Sequence, residues 1–295
     1  MTDLQRYLVE EIALDHADGM ITRREALRRL ALVGLSVSAA SSLLGAFAPK
    51  ARAGRAPAVR QGSATAATTD ATTPITFRGP GGRRLMGAWA KAARARGGVL
   101  VVHENRGLTD HIRSVVSRLA ASGYSALAID LLSEEGGTAS FPDEAAAMAA
   151  LYSVPTTRFV ADMKAGVTEL RRRLPGKKVA ATGFCFGGGM VWTLLAAKEA
   201  RLAAAAPFYG PFPEGSSLKG SKAAVLGIYA ALDTRVNASR PAADAALRAA
   251  GLPHQLVTFP GVDHAFFNDT GGRYNRTAAD AAYKRVLAWF KRYVG

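Results

Sequence analysis

A single cysteine, Cys185, lies in the run Gly183-Phe184-Cys185-Phe186-Gly187-Gly188-Gly189, a G-x-C-x-G pattern. The apolar run Lys178–Thr182 before it reads as a strand, and Gly187-Gly188-Gly189-Met190 opens a helix after it. At such a junction the middle residue sits in a strained turn where neighbouring backbones nearly touch, so small residues are needed on both sides. The turn lifts the side chain above the sheet and points a helix N-terminus at it, which favours a thiolate or an oxyanion. A lone cysteine is ordinarily a small core hydrophobe. Its glycine flanks, with a strand before and a helix after, make Cys185 a candidate nucleophile instead.

A thiol nucleophile needs a base, and the chain has five histidines. His16 lies in a leader-like segment, His111 is expected on a helix surface, and His254 opens a strand. His103 ends a strand ahead of the cysteine. His264 follows the strand Gln255–Phe259 through Pro260-Gly261-Val262-Asp263, in a loop at the strand's carboxyl end, and is the candidate base. An acid must orient that imidazole. Asp233 follows the strand Ala223–Tyr229, again at a carboxyl end, while Asp244 falls within a helix and Asp263 adjoins the histidine. Cys185…Asp233…His264 then has the nucleophile–acid–base chain order of α/β-hydrolases. Asp233 also reads as a turn cap beside Thr234. Glu104, in Val101-Val102-His103-Glu104-Asn105-Arg106-Gly107, is a fourth polar group. It is read either as sharing a proton with the thiol or as salt-bridged to Arg106, because a buried unpaired carboxylate is costly.

The elements that must position these groups alternate between short apolar runs and helical spacings from Ile75 onward. Strands are expected at Ile75–Phe77, Arg84–Ala90, Gly98–His103, Tyr124–Ile129, Lys178–Thr182, Ala203–Tyr209, Ala223–Tyr229 and Gln255–Phe259. Helical patterns occupy Thr109–Ala121, Phe159–Leu170, Met190–Ala200, Asn237–Ala250 and Ala278–Tyr293. This alternation implies one α/β domain over 75–295, a mostly parallel sheet with helices on both faces and its site at the strands' carboxyl ends. Phe141–Val154 and Phe212–Lys222 are left as rims of the pocket. With 295 residues and 49% apolar composition the chain supports a sizeable core. One cysteine excludes an internal disulfide and any cysteine-only zinc site. A metal centre on His103-Glu104 lacks the H-E-x-x-H spacing, since Gly107 holds the fifth position.

Residues 1–53 read as a leader. Arg23-Arg24 precede the uncharged stretch Leu30–Phe47, and Ala51-Arg52-Ala53 has a small-x-small cleavage pattern. This resembles a twin-arginine export signal, with a membrane anchor as the alternative, and implies a periplasmic or secreted protein. Residues 54–74 read as a flexible Ala/Thr/Ser/Gly linker. The net charge of +15 belongs almost wholly to residues 54–295. It is read as a solvated basic surface, since the basic runs lack the interleaved aromatics that single-stranded nucleic acid would require.

The motifs taken together resemble the dienelactone hydrolase family: V-V-H-E-N-R-G-L (101–108), G-F-C-F-G-G-G (183–189), P-F-Y-G (207–210), A-L-D-T-R-V (231–236) and D-H-A-F-F-N (263–268). The leader is similar to that of an exported branch. The resemblance implies an α/β-hydrolase fold and hydrolysis of an ester or lactone through a thiol-acyl intermediate. Cys185 would attack, His264 would act as base and then acid, and Asp233 would orient it. Backbone N–H groups of Phe186 and Asn105 would hold the oxyanion, and Glu104 would exchange partners with the cysteine. Arg106, Tyr209 and Phe266 would line the substrate site. No cofactor, metal, nucleic acid or membrane partner is implied, and a monomer is expected. The arginines with which studied members hold a substrate carboxylate are not matched, one falling at Asn268 and the other in a segment without arginine, 141–153. A non-catalytic envelope or ligand-binding protein on the same scaffold is the competing reading.

Overall fold

The structure is a computed structural model that describes residues 3–47 and 72–295. The expected cleavage pattern at 51–53 and nearly all of the expected linker lie outside the described residues. In chain order the helices are α1 (Asp3–Ala17), α2 (Arg23–Leu32), α3 (Val37–Ala46), α4 (Asp110–Ala121), α5 (Glu144–Ser153), α6 (Thr156–Arg173), α7 (Phe186–Ala196), α8 (Thr234–Asn237), α9 (Arg240–Ala249) and α10 (Arg276–Tyr293). The strands are β1 (Thr73–Arg78), β2 (Arg84–Ala90), β3 (Gly97–Val102), β4 (Tyr124–Asp130), β5 (Val179–Phe184), β6 (Leu202–Phe208), β7 (Ala224–Ala230) and β8 (His254–Phe259).

The strands form one sheet of eight in the order β1-β2-β4-β3-β5-β6-β7-β8. β1 and β2 pair antiparallel at one edge, and every pairing from β4 through β8 is parallel. The eight expected strands are all present. Every residue of β3, β4, β5 and β7 is buried, as unbroken apolar runs require of strands covered on both faces. β5 lies between β3 and β6, so its carboxyl end opens among the loops after three central strands.

Three local differences from the sequence reading have physical causes. The expected rim 141–154 contains a helix, α5, whose start is capped by the Asp143 carboxylate accepting from the Ala146 amide at 2.9 Å. The helix expected over Asn237–Ala250 begins three residues later, as α9 with Pro241 in its first turn, and is preceded by the separate short helix α8. His111, expected at the surface, is buried on α4 with Nδ1 2.7 Å from an oxygen of Asp269.

The largest difference is at the amino end. Helices α1, α2 and α3 pack on one another, and α2 lies against α5. Leu8, Ile12, Ala26, Leu30 and Leu44 are buried. The uncharged stretch Leu30–Phe47 is divided between the end of α2 and α3. Among the described residues, no helix is long and apolar enough to cross a membrane.

Candidate active site

Cys185 joins β5 to α7 with φ +56° and ψ −120°. A non-glycine residue in this region costs about 1–3 kcal/mol and persists only where surrounding structure dictates it. Two contacts dictate it here. A Cβ on Gly183 would lie 2.2 Å from the Gly187 carbonyl oxygen, and one on Gly187 would lie 2.3 Å from that of Val102. Only glycines let α7 approach β5 and β3 so closely. The Cys185 amide donates to the Phe208 carbonyl at 3.1 Å, which ties the turn to the end of β6. Phe186 is the first residue of α7, where amides lack intrahelical acceptors. Its ring is buried against Phe159, Tyr152 and His103.

Asp233 follows β7, and its two oxygens have different partners. Oδ1 accepts from the Val236 amide at 3.1 Å, capping α8, while Oδ2 lies 2.6 Å from His264 Nδ1. The two readings of this residue, cap and imidazole partner, are therefore both present in one carboxylate. The backbone amide of His264 donates to Asp263 Oδ1 at 2.7 Å, which holds the loop after β8. Tyr209 is fully buried and meets the His264 ring edge-on, with centroids 5.0 Å apart. Phe266 is wholly enclosed between Tyr209 and Phe259, so it supports Tyr209 and presents no surface to a ligand.

The structure thus brings Cys185, Asp233 and His264 together, from elements separated in sequence but neighbouring at the sheet's carboxyl edge. It also brings in a residue from the expected leader. Glu11 of α1 has Oε1 3.4 Å from His264 Nε2 and 4.0 Å from Cys185 Sγ. The Tyr7 hydroxyl is 3.4 Å from the same sulfur. Glu11 also pairs with Arg235, whose guanidinium stacks 4.0 Å from the centre of the Tyr7 ring. Cys185 is 3% exposed and His264 5%.

Glu104 was expected beside the thiol or on Arg106. One of its oxygens accepts from Asn268 Nδ2 at 2.5 Å and its charge is near enough to raise the Cys185 thiol, while Arg106 pairs with Glu144 at 3.2 Å. Asn268, where the family arginine was expected, thus anchors a carboxylate belonging to the protein. Asn105 is buried between β3 and α4. His103 is consumed structurally: Nδ1 donates to the Glu104 carbonyl at 2.7 Å and Nε2 accepts from the Leu131 amide at 3.1 Å. Neither ring nitrogen has a lone pair left for an ion. One group that could hold a metal is Glu11, Cys185 and His264, whose donor atoms lie within 4.8 Å of one another.

Burial raises the Cys185 thiol, and the Glu11 carboxylate raises it further against the opposing pull of His264. Burial alone would lower His264, but the carboxylates of Glu11 and Asp233 outweigh it and hold the imidazole well above its ordinary value. Burial likewise opposes ionisation of Asp233 and Glu11; both are nevertheless lowered, chiefly by the facing His264 and then by Arg235.

A sequence model described as the dienelactone hydrolase family matches residues 86–294. The chain belongs to this family. An Escherichia coli O157:H7 protein, provisionally named a carboxymethylenebutenolidase, is 35% identical over 211 residues, spanning 67% of this chain and 77% of its own length. A similarly named protein of Saccharolobus solfataricus is 30% identical over 229 residues, 66% of this chain and 88% of that one. The crystal structure of a provisionally assigned dienelactone hydrolase from Klebsiella pneumoniae matches with 30% identity and a TM-score of 0.65. It covers 76% of this chain and all of its own. A dienelactone hydrolase-like promiscuous phosphotriesterase from metagenomic libraries, P91, matches with 26% identity and a TM-score of 0.66, with the same coverage. The dienelactone hydrolase match begins at Met86, so Tyr7 and Glu11 lie outside it. The spacing of Tyr7, Leu8, Glu11, Ile12 and Asp15 along one helical face was the signal that could have drawn attention to them.

Proposed function

We propose that this dienelactone hydrolase family member cleaves a carboxylic ester or lactone by nucleophilic catalysis. Cys185 is the nucleophile, His264 the general base and then acid, and Asp233 the group that orients the imidazole. The observation that carries the reading is the left-handed backbone at Cys185, joined to a 2.6 Å contact between Asp233 Oδ2 and His264 Nδ1. Strain of this kind at a strand-to-helix turn is the signature of an exposed nucleophile in this fold.

With substrate at the sulfur, His264 Nε2 takes the thiol proton as Sγ bonds to the carbonyl carbon. The charge arriving on the carbonyl oxygen is met by the Phe186 amide at the start of α7 and the Asn105 amide, with one such donor worth about 10²–10³ in rate. The C–O bond then breaks, and the imidazolium returns its proton to the leaving alkoxide. In the second half, His264 takes a proton from water, the hydroxide attacks the thioester, and the sulfur leaves to recover that proton. Arg106 and Tyr209 border the pocket in this reading, and no cofactor enters it.

The exported location is part of the proposal. The side chains of Arg23 and Arg24 are exposed at the start of α2, which supports their being read by an export machinery. Replacing both by lysine should leave the protein in the cytoplasmic fraction, whereas unchanged export would discard a twin-arginine route.

The chemical test is hydrolysis of p-nitrophenyl acetate and of a panel of esters and lactones. Because Tyr7 and Glu11 cover the sulfur, it is run on the full chain and on a full-chain Tyr7→Ala, Glu11→Ala variant, each with and without Cys185→Ala. Activity that survives loss of Cys185 in both backgrounds would remove the nucleophile assignment.

A further inference from the structure

Helix α1 places two polar side chains on the sulfur and the imidazole that do the proposed chemistry. Glu11 Oε1 faces both His264 Nε2 and Cys185 Sγ, and the Tyr7 hydroxyl caps the sulfur from another side. This position is held from several directions. Arg235 on α8 binds the Glu11 carboxylate and stacks on Tyr7. Arg273, only 8% exposed, reaches Asp15 at 2.9 Å and Asp18 at 2.7 Å. Met20 lies against Gly272, where an added Cβ would come within 2.9 Å of its methyl carbon, and Arg28 pairs with Asp143 at the start of α5. A substrate carbonyl cannot reach Sγ while Tyr7 and Glu11 occupy the space over it.

The geometry points to residues 3–46 as a built-in inhibitor: α1 fills the space over Cys185 that substrate needs, with Glu11 as the counter-ion of His264, and turnover begins when the segment leaves. The inference rests on the hydrolase reading for its consequence, although occlusion of the sulfur can be tested without it.

The contact blocks chemistry as well as access. Glu11 on one side and Asp233 on the other raise the imidazole's affinity for a proton. An imidazolium cannot accept the thiol proton, and Glu11 disfavours the thiolate that would otherwise balance it. The docked Glu11 carboxylate therefore opposes formation of the reactive thiolate as well as covering the sulfur. A neutral, covered thiol also resists oxidation, which proceeds through the thiolate. Hydrolysis of the peptide bond after Ala53 by a leader peptidase would separate the inhibitor from the enzyme, so maturation and activation would be one event.

The chain's single cysteine makes the test direct, because alkylation by iodoacetamide, followed by intact mass, reports on Cys185 alone. The full-length protein is compared with a full-length Tyr7→Ala, Glu11→Ala, Asp15→Lys, Asp18→Lys variant, which leaves the catalytic residues untouched. Displacement should speed alkylation roughly tenfold or more, since the apparent rate scales with the open fraction. In a second preparation, a sequence-specific protease site is inserted within residues 54–70, and alkylation is followed before and after cutting and dilution; the same acceleration is expected. Equal alkylation rates for parent, variant and cut protein would overturn the inhibitor. The hydrolase reading fails separately. Faster alkylation with no ester hydrolysis keeps the inhibitor and removes the proposed chemistry, whereas Cys185-dependent hydrolysis that is equally fast in all forms does the reverse.

Discussion

The sheet-centred domain and the amino-terminal helices are held in place by different means. In the domain, β3, β4, β5 and β7 are buried along their whole lengths, and register leaves each side chain one environment. In residues 3–46 a modest apolar cluster is supplemented by ion pairs: Glu11 with Arg235, and Asp15 and Asp18 with Arg273. Of the large apolar side chains exposed among the described residues, Met20, Leu32 and Val37 belong to this segment and only Leu232 to the domain. Buried ion pairs specify position well and add little net stability, because desolvation offsets their attraction. Strong position with weak attachment suits a part that must seat accurately and later leave.

Changes in the domain should damage chemistry or folding whatever the segment does; changes at the junction should alter only how far the segment masks the sulfur and the imidazole. The largest effect is expected from Cys185→Ala. In the full-length variant with a displaced amino-terminal segment, ester hydrolysis should fall by at least about 10³-fold with the melting temperature nearly unchanged. Asp233→Asn comes next, with a loss of about 10²–10⁴-fold in kcat. Its cap on α8 should survive, because an amide oxygen still accepts from Val236; Asp233→Ala should lose about 1 kcal/mol besides. A large loss of stability in the asparagine variant would show that the carboxylate is mainly structural.

Gly187→Ala tests the rigid side of the comparison. The added methyl would overlap the carbonyl oxygens of both Val102 and His103. We expect a cost of about 3 kcal/mol or more, seen as a fall of about 6–12 °C in the domain's melting temperature. Arg273→Ala tests the weak side: it should accelerate Cys185 alkylation several-fold while domain melting moves by less than about 2 °C. If both variants lowered domain melting alike, the two regions would form one cooperative unit and the contrast would disappear.

The smallest expected effect is of pH. His264 is faced by Glu11, Asp233 and Cys185, with the Tyr209 ring edge-on to it, and its value is raised with α1 in place. Its contribution to docking is therefore full below the value it has with α1 away, and is lost as pH rises through the raised, docked value. Glu11 is lowered, so its contribution is lost only as pH falls through that depressed value. Alkaline solution should loosen the segment, narrowing the difference in alkylation rate between the displaced variant and the parent. Glu11→Gln should abolish this narrowing; its persistence would mean that another group controls docking.

Much of the candidate site's geometry was legible because local rules carried it. The elbow requires small residues beside Cys185, and G-x-C-x-G shows them. Asp233 and His264 follow apolar strands at carboxyl ends, where this sheet type collects functional groups. The partners of Glu104 were not legible, since Asn268 approaches it from 164 positions away in the chain. Helix α5 is hard to read because its alanine-rich stretch lacks a clear apolar face, although Asp143 marks its start.

Composition and spacing by themselves determined the strand–helix alternation, the strained turn at Cys185 and the family to which the chain belongs, because each is written in neighbouring residues. The tertiary structure alone decided what stands over the sulfur. An arginine pair and an apolar stretch describe a leader equally well whether it is free or folded back. Only three-dimensional packing carries the Glu11 carboxylate across 253 positions of sequence to the His264 imidazole, because ion pairing depends on distance in space and not on separation along the chain.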